Sequence, residues 1–86
     1  MPADFSERRP RRQAFLAALH ARTDGHVAEF VSVHDVAAEL GIEPGELERI
    51  VAYLEDRQWI AVDDYRAGIV RLTADGVDRV ELGPGA

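Results

Sequence analysis

Between Ser32 and Arg57 the apolar positions fall into two helical stripes, separated by a glycine and a proline. Val33, Val36, Ala37 and Leu40 recur at i, i+3, i+4 and i+7, the spacing that stacks side chains on one face of an α-helix. That face must be buried. Ser32 precedes the run and Asp35 follows three residues on, a variant capping box in which hydroxyl and carboxylate satisfy the first backbone N–H groups. Gly41 stops the helix and Ile42 returns to the core. Pro44 then starts another, because its fixed φ and missing N–H are both tolerated at the first helical position. Leu47, Ile50, Val51 and Leu54 form the second stripe, on a helix over residues 44–57.

Upstream, a helix starting between Glu7 and Arg11 buries Phe15, Leu16, Ala18 and Leu19, and Thr23, Asp24 and Gly25 turn the chain. Val27 to Val31 is too short for a helix and rich in Val and Phe, so it reads as a short strand. Downstream, Trp59 to Asp63 and Gly68 to Leu72 are the arms of a β-hairpin around Asp64, Tyr65, Arg66 and Ala67, with Gly68 suited to a positive φ. Thr73 caps a last short helix that turns Val77 and Val80 inward before Gly83, Pro84 and Gly85 end it. Residues 1–6 and 83–86 carry no pattern and are expected to fray. The fold class is α+β, mostly α, with one domain over residues 1–86.

Composition narrows the function classes. There is no cysteine, so neither disulfides nor thiolate metal sites are available. No apolar stretch is long enough to span a membrane and no secretory leader is visible, which makes a soluble, cytoplasmic protein with no membrane partner the expectation. Sixteen acidic residues against ten basic ones give a formal net charge of −6, the opposite of what phosphate neutralisation asks for. The distribution of charge therefore decides more than its sum. All the basic residues are arginines, and Arg8, Arg9, Arg11 and Arg12 are the densest run. They sit at the positive end of a helix dipole, which disfavours an exposed cation by about 0.3–1 kcal/mol. A compensating partner for them is expected.

No catalytic set is visible, and the chain does not read as an enzyme. His20, His26 and His34 include no i, i+4 pair and read as surface histidines, leaving no metal or cofactor site. Asp63 and Asp64 are adjacent on a strand and point to opposite faces, so they cannot share a substrate. The two serines lie in no nucleophile elbow, and no glycine-rich phosphate loop is present. Trp59 reads as a roof over the core where the hairpin begins. Tyr53 lies outside the apolar stripe and is open to a partner.

Taken in order, helix, short strand, helix, helix, two-stranded wing and helix, the chain resembles the winged helix-turn-helix domains of prokaryotic transcriptional regulators from about Arg8 to Glu81. The residues that carry this are the run Val36-Ala37-Ala38-Glu39-Leu40-Gly41-Ile42, the spacing of Leu47, Val51 and Leu54, Trp59-Ile60, and Leu72-Thr73-Ala74-Asp75-Gly76. The resemblance implies a small DNA-binding transcriptional regulator. Its helix 44–57 would enter the major groove of double-stranded DNA with Arg49 at base edges and Tyr53 nearby. Arg66 on the wing and Arg8, Arg9, Arg11 and Arg12 would meet phosphates. A homodimer is expected, with Phe5, Phe15 and Val80 as apolar residues beyond those that three packed helices need. The alternative reading is a protein–protein interaction module using the acidic face of the same helix. Where these regulators usually carry glycine between recognition helix and wing, this chain has Gln58, so a non-glycine residue is expected in a left-handed conformation.

Overall fold

The computed structural model describes residues 8–83. Helix α1 spans Arg8–Thr23, strand β1 Val31–Ser32, helix α2 Val33–Leu40, helix α3 Pro44–Asp56, strand β2 Ile60–Asp64, strand β3 Ile69–Leu72 and helix α4 Ala74–Leu82. The architecture is α+β and mostly helical, with the strands in one antiparallel sheet of order β1-β3-β2. Among the described residues no helix is long and apolar enough to cross a membrane.

The two stripes become the core as their spacing requires. Val33, Val36 and Ala37 from α2, and Leu47, Ile50 and Leu54 from α3, are buried against Phe15, Leu16 and Leu19 of α1. Val70 and Leu72 from the central strand and Ile60 from β2 close the other side. Leu40 and Val51, expected to be buried, lie half-exposed at the rim of this core. Gly41 takes the left-handed conformation (φ 68°) and the Ile42 N–H donates to the Ala37 carbonyl at 2.9 Å, which ends α2 and turns Ile42 inward.

The strand expected over residues 27–31 is confined to Val31–Ser32. Its position is set by pairing Val31 with Val70 and Ser32 with Ile69, so only these residues reach β3, and Val27 and Phe30 are left exposed. The same pairing changes the role of Ser32. It stands at the N-cap of α2 with extended backbone, but its side chain makes no capping hydrogen bond, so the expected capping box does not form. Phe15, expected to be surplus apolar surface, is fully buried, Val80 is half-buried against the core, and Phe5 lies outside the described residues.

The junction between α3 and β2 has the expected left-handed residue. Gln58 takes φ 63°, and the Trp59 N–H donates to the Leu54 carbonyl at 3.0 Å, as at a helix end normally closed by glycine. Thr73 secures this corner from the other side. Its hydroxyl donates to the Gln58 carbonyl at 2.6 Å and accepts from the Gly76 N–H at 3.0 Å, so one side chain caps α4 and fixes the strained turn. At the far end of the hairpin Gly68 takes φ 71°, and its carbonyl accepts from the Val33 N–H at 2.8 Å, tying the turn to the start of α2.

Candidate functional site

Helix periodicity places one mixed stripe on the side of α3 that faces α1. Glu46, Arg49, Ile50, Tyr53 and Arg57 stand at i, i+3, i+4, i+7 and i+11, so they run along a single edge of the helix. Against this edge lies the first turn and a half of α1. Arg11 grips Glu46 with a two-pronged ion pair, its Nη2 donating to Oε1 at 2.8 Å and its Nε to the other carboxylate oxygen. These hydrogen bonds hold the Glu46 carboxyl below its ordinary pKa against the opposing effect of desolvation, with the positive charges of Arg11 and Arg49 adding to the lowering. The carboxylate also supplies the compensation that cations at the start of α1 require.

One helical step along, the Arg12 guanidinium carbon sits 3.8 Å above the centre of the Tyr53 ring. Tyr53 in turn meets Trp59 edge to face, with ring centres 6.2 Å apart and planes at 67°. The guanidiniums of Arg57 and Arg79 lie 5.0 and 5.1 Å from the centre of the Trp59 ring. Two adjoining depressions result. The smaller, of about 120 Å³, is lined by Arg8, Arg11, Arg12, Glu46, Arg49 and Ile50. The larger, of about 400 Å³, runs between α1, the end of α3 and α4, with Arg9, Arg12, Arg57 and Arg79 on its walls. Arg12 belongs to both.

Seven of the ten arginines thus gather on this seam, and Glu46 is the one carboxylate among the described residues lining it. The remaining three lie elsewhere. Arg22 donates to Glu39 at 2.8 Å, Arg71 pairs with Asp63 at 3.3 Å, and Arg66 is exposed in the hairpin turn. Among the described residues, this seam is therefore lined mainly by arginines in a molecule whose formal net charge is −6.

Of the residues singled out from sequence, the fold brings together Arg8, Arg9, Arg11, Arg12, Arg49 and Tyr53 and leaves Arg66 outside both depressions. Tyr53 is half-buried between Arg12 and Trp59, so its ring orients Arg12 and is not an outward-facing contact. Trp59 combines the expected roof over the core with a wall of the larger groove. Arg57 and Arg79 were missed. The i, i+4 step from Tyr53 to Arg57 could have revealed the first, while Arg79 reaches Trp59 only because α4 folds back onto the start of β2. The outermost line of α3 is Glu48, Ala52 and Asp56, all exposed. The histidines are dispersed: His20 bonds Glu81 at 3.0 Å, His26 lies 2.7 Å from the Thr23 carbonyl, and His34 packs over Gly68.

Compared with models of known protein families, with curated proteins and with solved structures, the chain gives no significant match. The reading of the site therefore rests on its own geometry.

Proposed function

We propose that the protein is a winged-helix DNA-binding module of the transcriptional-regulator type, with β2 and β3 as the wing and α3 as the recognition helix. The observation that carries this reading is the collection of Arg8, Arg9, Arg11, Arg12 and Arg49 along the α1–α3 seam, where the carboxylate of Glu46 is already held by Arg11. Phosphate contacts fall to the α1 arginines, with Arg66 on the wing as an outlying contact, and Arg49, exposed on α3, is the base-edge reader. A second copy supplies the two-fold symmetry for paired half-sites. This homodimer is tested by sedimentation at micromolar concentration, where a monomer alone would remove it.

The test is a titration of random and upstream duplexes at two salt concentrations. The logarithm of affinity should fall with that of salt by about 0.9 per phosphate contact. Arg9→Ala should reduce the slope by about one and weaken all sequences alike, whereas Arg49→Ala should also relax sequence preference. Folded protein that binds neither duplex at low salt overturns the proposal. The exposed line Glu48, Ala52 and Asp56 on α3 favours the second reading, docking of a basic protein partner. In that case Glu48→Arg abolishes the complex and Arg49→Ala leaves it intact.

A further inference from the structure

We infer that Glu48 determines specificity on α3, its carboxylate accepting a hydrogen bond from the N4 amino group of a cytosine. This rests on the DNA-binding reading proposed above, and Arg49 reads the guanine of the same or the neighbouring base pair.

Glu48 stands apart from the other glutamates along α3. Glu46 is held by Arg11, and Glu55 accepts from the Tyr65 hydroxyl. Glu48 is exposed and, among the described residues, forms no hydrogen bond or ion pair. It lies with Arg49 in the N-terminal half of α3, the part of a groove-docked helix that reaches base edges. Arg49 leans toward that end, since a β-carbon on Gly45, one turn earlier, would lie 3.9 Å from its Nη1. Gly45 has no side chain to obstruct a base there. Asp56, the last residue of α3, lies two turns beyond Glu48, roughly 12 Å along the axis and away from the base-reading end.

An ionised carboxylate can only accept hydrogen bonds. In the major groove guanine offers two acceptors, thymine an acceptor and a methyl group, and adenine a donor beside an acceptor. Cytosine alone offers a donor with no acceptor next to it. Any other base leaves the Glu48 carboxylate unpaired or facing a lone pair, so it discriminates chiefly by what it rejects. The guanidinium of Arg49 only donates, which fits the two acceptors of guanine. Carboxylate and guanidinium on successive residues thus match the donor and acceptor sides of a C·G pair. The acidic face of α3 thereby gains a use in DNA binding. Glu48 lowers affinity for every sequence that lacks the cytosine, which widens the gap between specific and nonspecific binding.

The preferred sequence is selected from randomised duplexes with the wild-type chain at low salt. Duplexes carrying each of the four pairs at every selected position are then titrated with wild type, Glu48→Ala and Arg49→Ala, and circular dichroism checks that each is folded. Wild type should favour cytosine at one position by about ten-fold, the usual order for a single wrong pair. Glu48→Ala should abolish that preference while binding the other duplexes as tightly or more tightly. Its salt slope should match that of wild type, because no phosphate contact is lost. Arg49→Ala should relax the choice of guanine at the same or an adjacent pair. Replacing the selected cytosine by 2-pyrimidinone, which lacks the amino group, should weaken wild type far more than Glu48→Ala. Cytosine recognition by Glu48 is overturned if wild type binds DNA but selects no cytosine that Glu48→Ala releases, or if Glu48→Ala weakens all duplexes alike. The DNA reading survives either result. Folded wild type that binds no duplex at low salt removes both.

Discussion

Gly76 approaches Trp59 so closely that a β-carbon on it would stand 2.0 Å from the Trp59 carbonyl oxygen. The first turn of α4 therefore lies directly on the backbone that opens β2, and this places Arg79 beside the Trp59 ring. Gly76→Ala forces the two backbones apart. The expected loss reaches or exceeds the upper end of the roughly 1–3 kcal/mol typical of overpacking. Gly45, in the first turn of α3, is the control: its added β-carbon meets nothing closer than 3.9 Å. Gly45→Ala should stabilise by up to about 0.5–1 kcal/mol through helix propensity. Urea unfolding of both variants checks the pair, and a neutral Gly76→Ala would mean that α4 does not pack here.

Leu54 of α3 is fully buried in the core cluster that also holds Phe15 of α1 and Ile60 of β2. Leu54→Ala should lose about 2–5 kcal/mol. Val51, half-exposed at the rim, should lose clearly less on the same truncation. Equal losses from chemical denaturation would show α3 rotated from the position described.

Gln58→Gly should raise stability. Holding a side chain in the left-handed region costs roughly 1–2 kcal/mol, and glycine gives back about 0.5–1 through its freer unfolded chain. A net gain of about 0.5–1 kcal/mol follows from these ranges. Thr73→Val removes both hydroxyl contacts of the corner and should lose about 1 kcal/mol or somewhat more. Thermal melts of the two variants should therefore shift in opposite directions.

Glu46 gives the seam a pH dependence. Its folded pKa lies below the ordinary glutamate value, chiefly through the Arg11 hydrogen bonds. The stabilisation it contributes is complete above the ordinary value and is lost as pH falls through the depressed folded value. Arg11→Gln should raise the Glu46 titration midpoint in carboxyl NMR and shrink this acid-side loss. A midpoint unchanged by the substitution would show that the ion pair does not form in solution.

The elements legible in sequence were those whose cause is local. Gly41 and Pro44 punctuate α2 and α3 through their own backbone preferences, whereas the left-handed corner at Gln58 was expected only from the resemblance, because glycine usually stands there in winged helix-turn-helix domains. What escaped depended on partners remote in sequence. Val31 and Ser32, not Val27 to Phe30, become β1 because Val70 and Ile69 are there to pair with them. The α1 arginines were visible as a run, but their meeting with Tyr53 and Glu46, and the addition of Arg57 and Arg79, depends on how α1 and α4 pack on α3. Amphipathic periodicity identifies the inward face of each helix and says little about which polar edges of two helices will adjoin.

The sheet order β1-β3-β2 leaves two outer edges, and each is poorly shaped for a further strand. On one side β1 is two residues long and runs straight into α2. On the other, β2 carries an irregularity between Val62 and Asp64, where Asp63 is the extra residue and both aspartates are exposed. Short length, a bulge and charge each discourage edge-to-edge hydrogen bonding. For the described strands, pairing edge to edge with a second copy is therefore disfavoured even in concentrated protein, and open-ended sheet growth has no ready template.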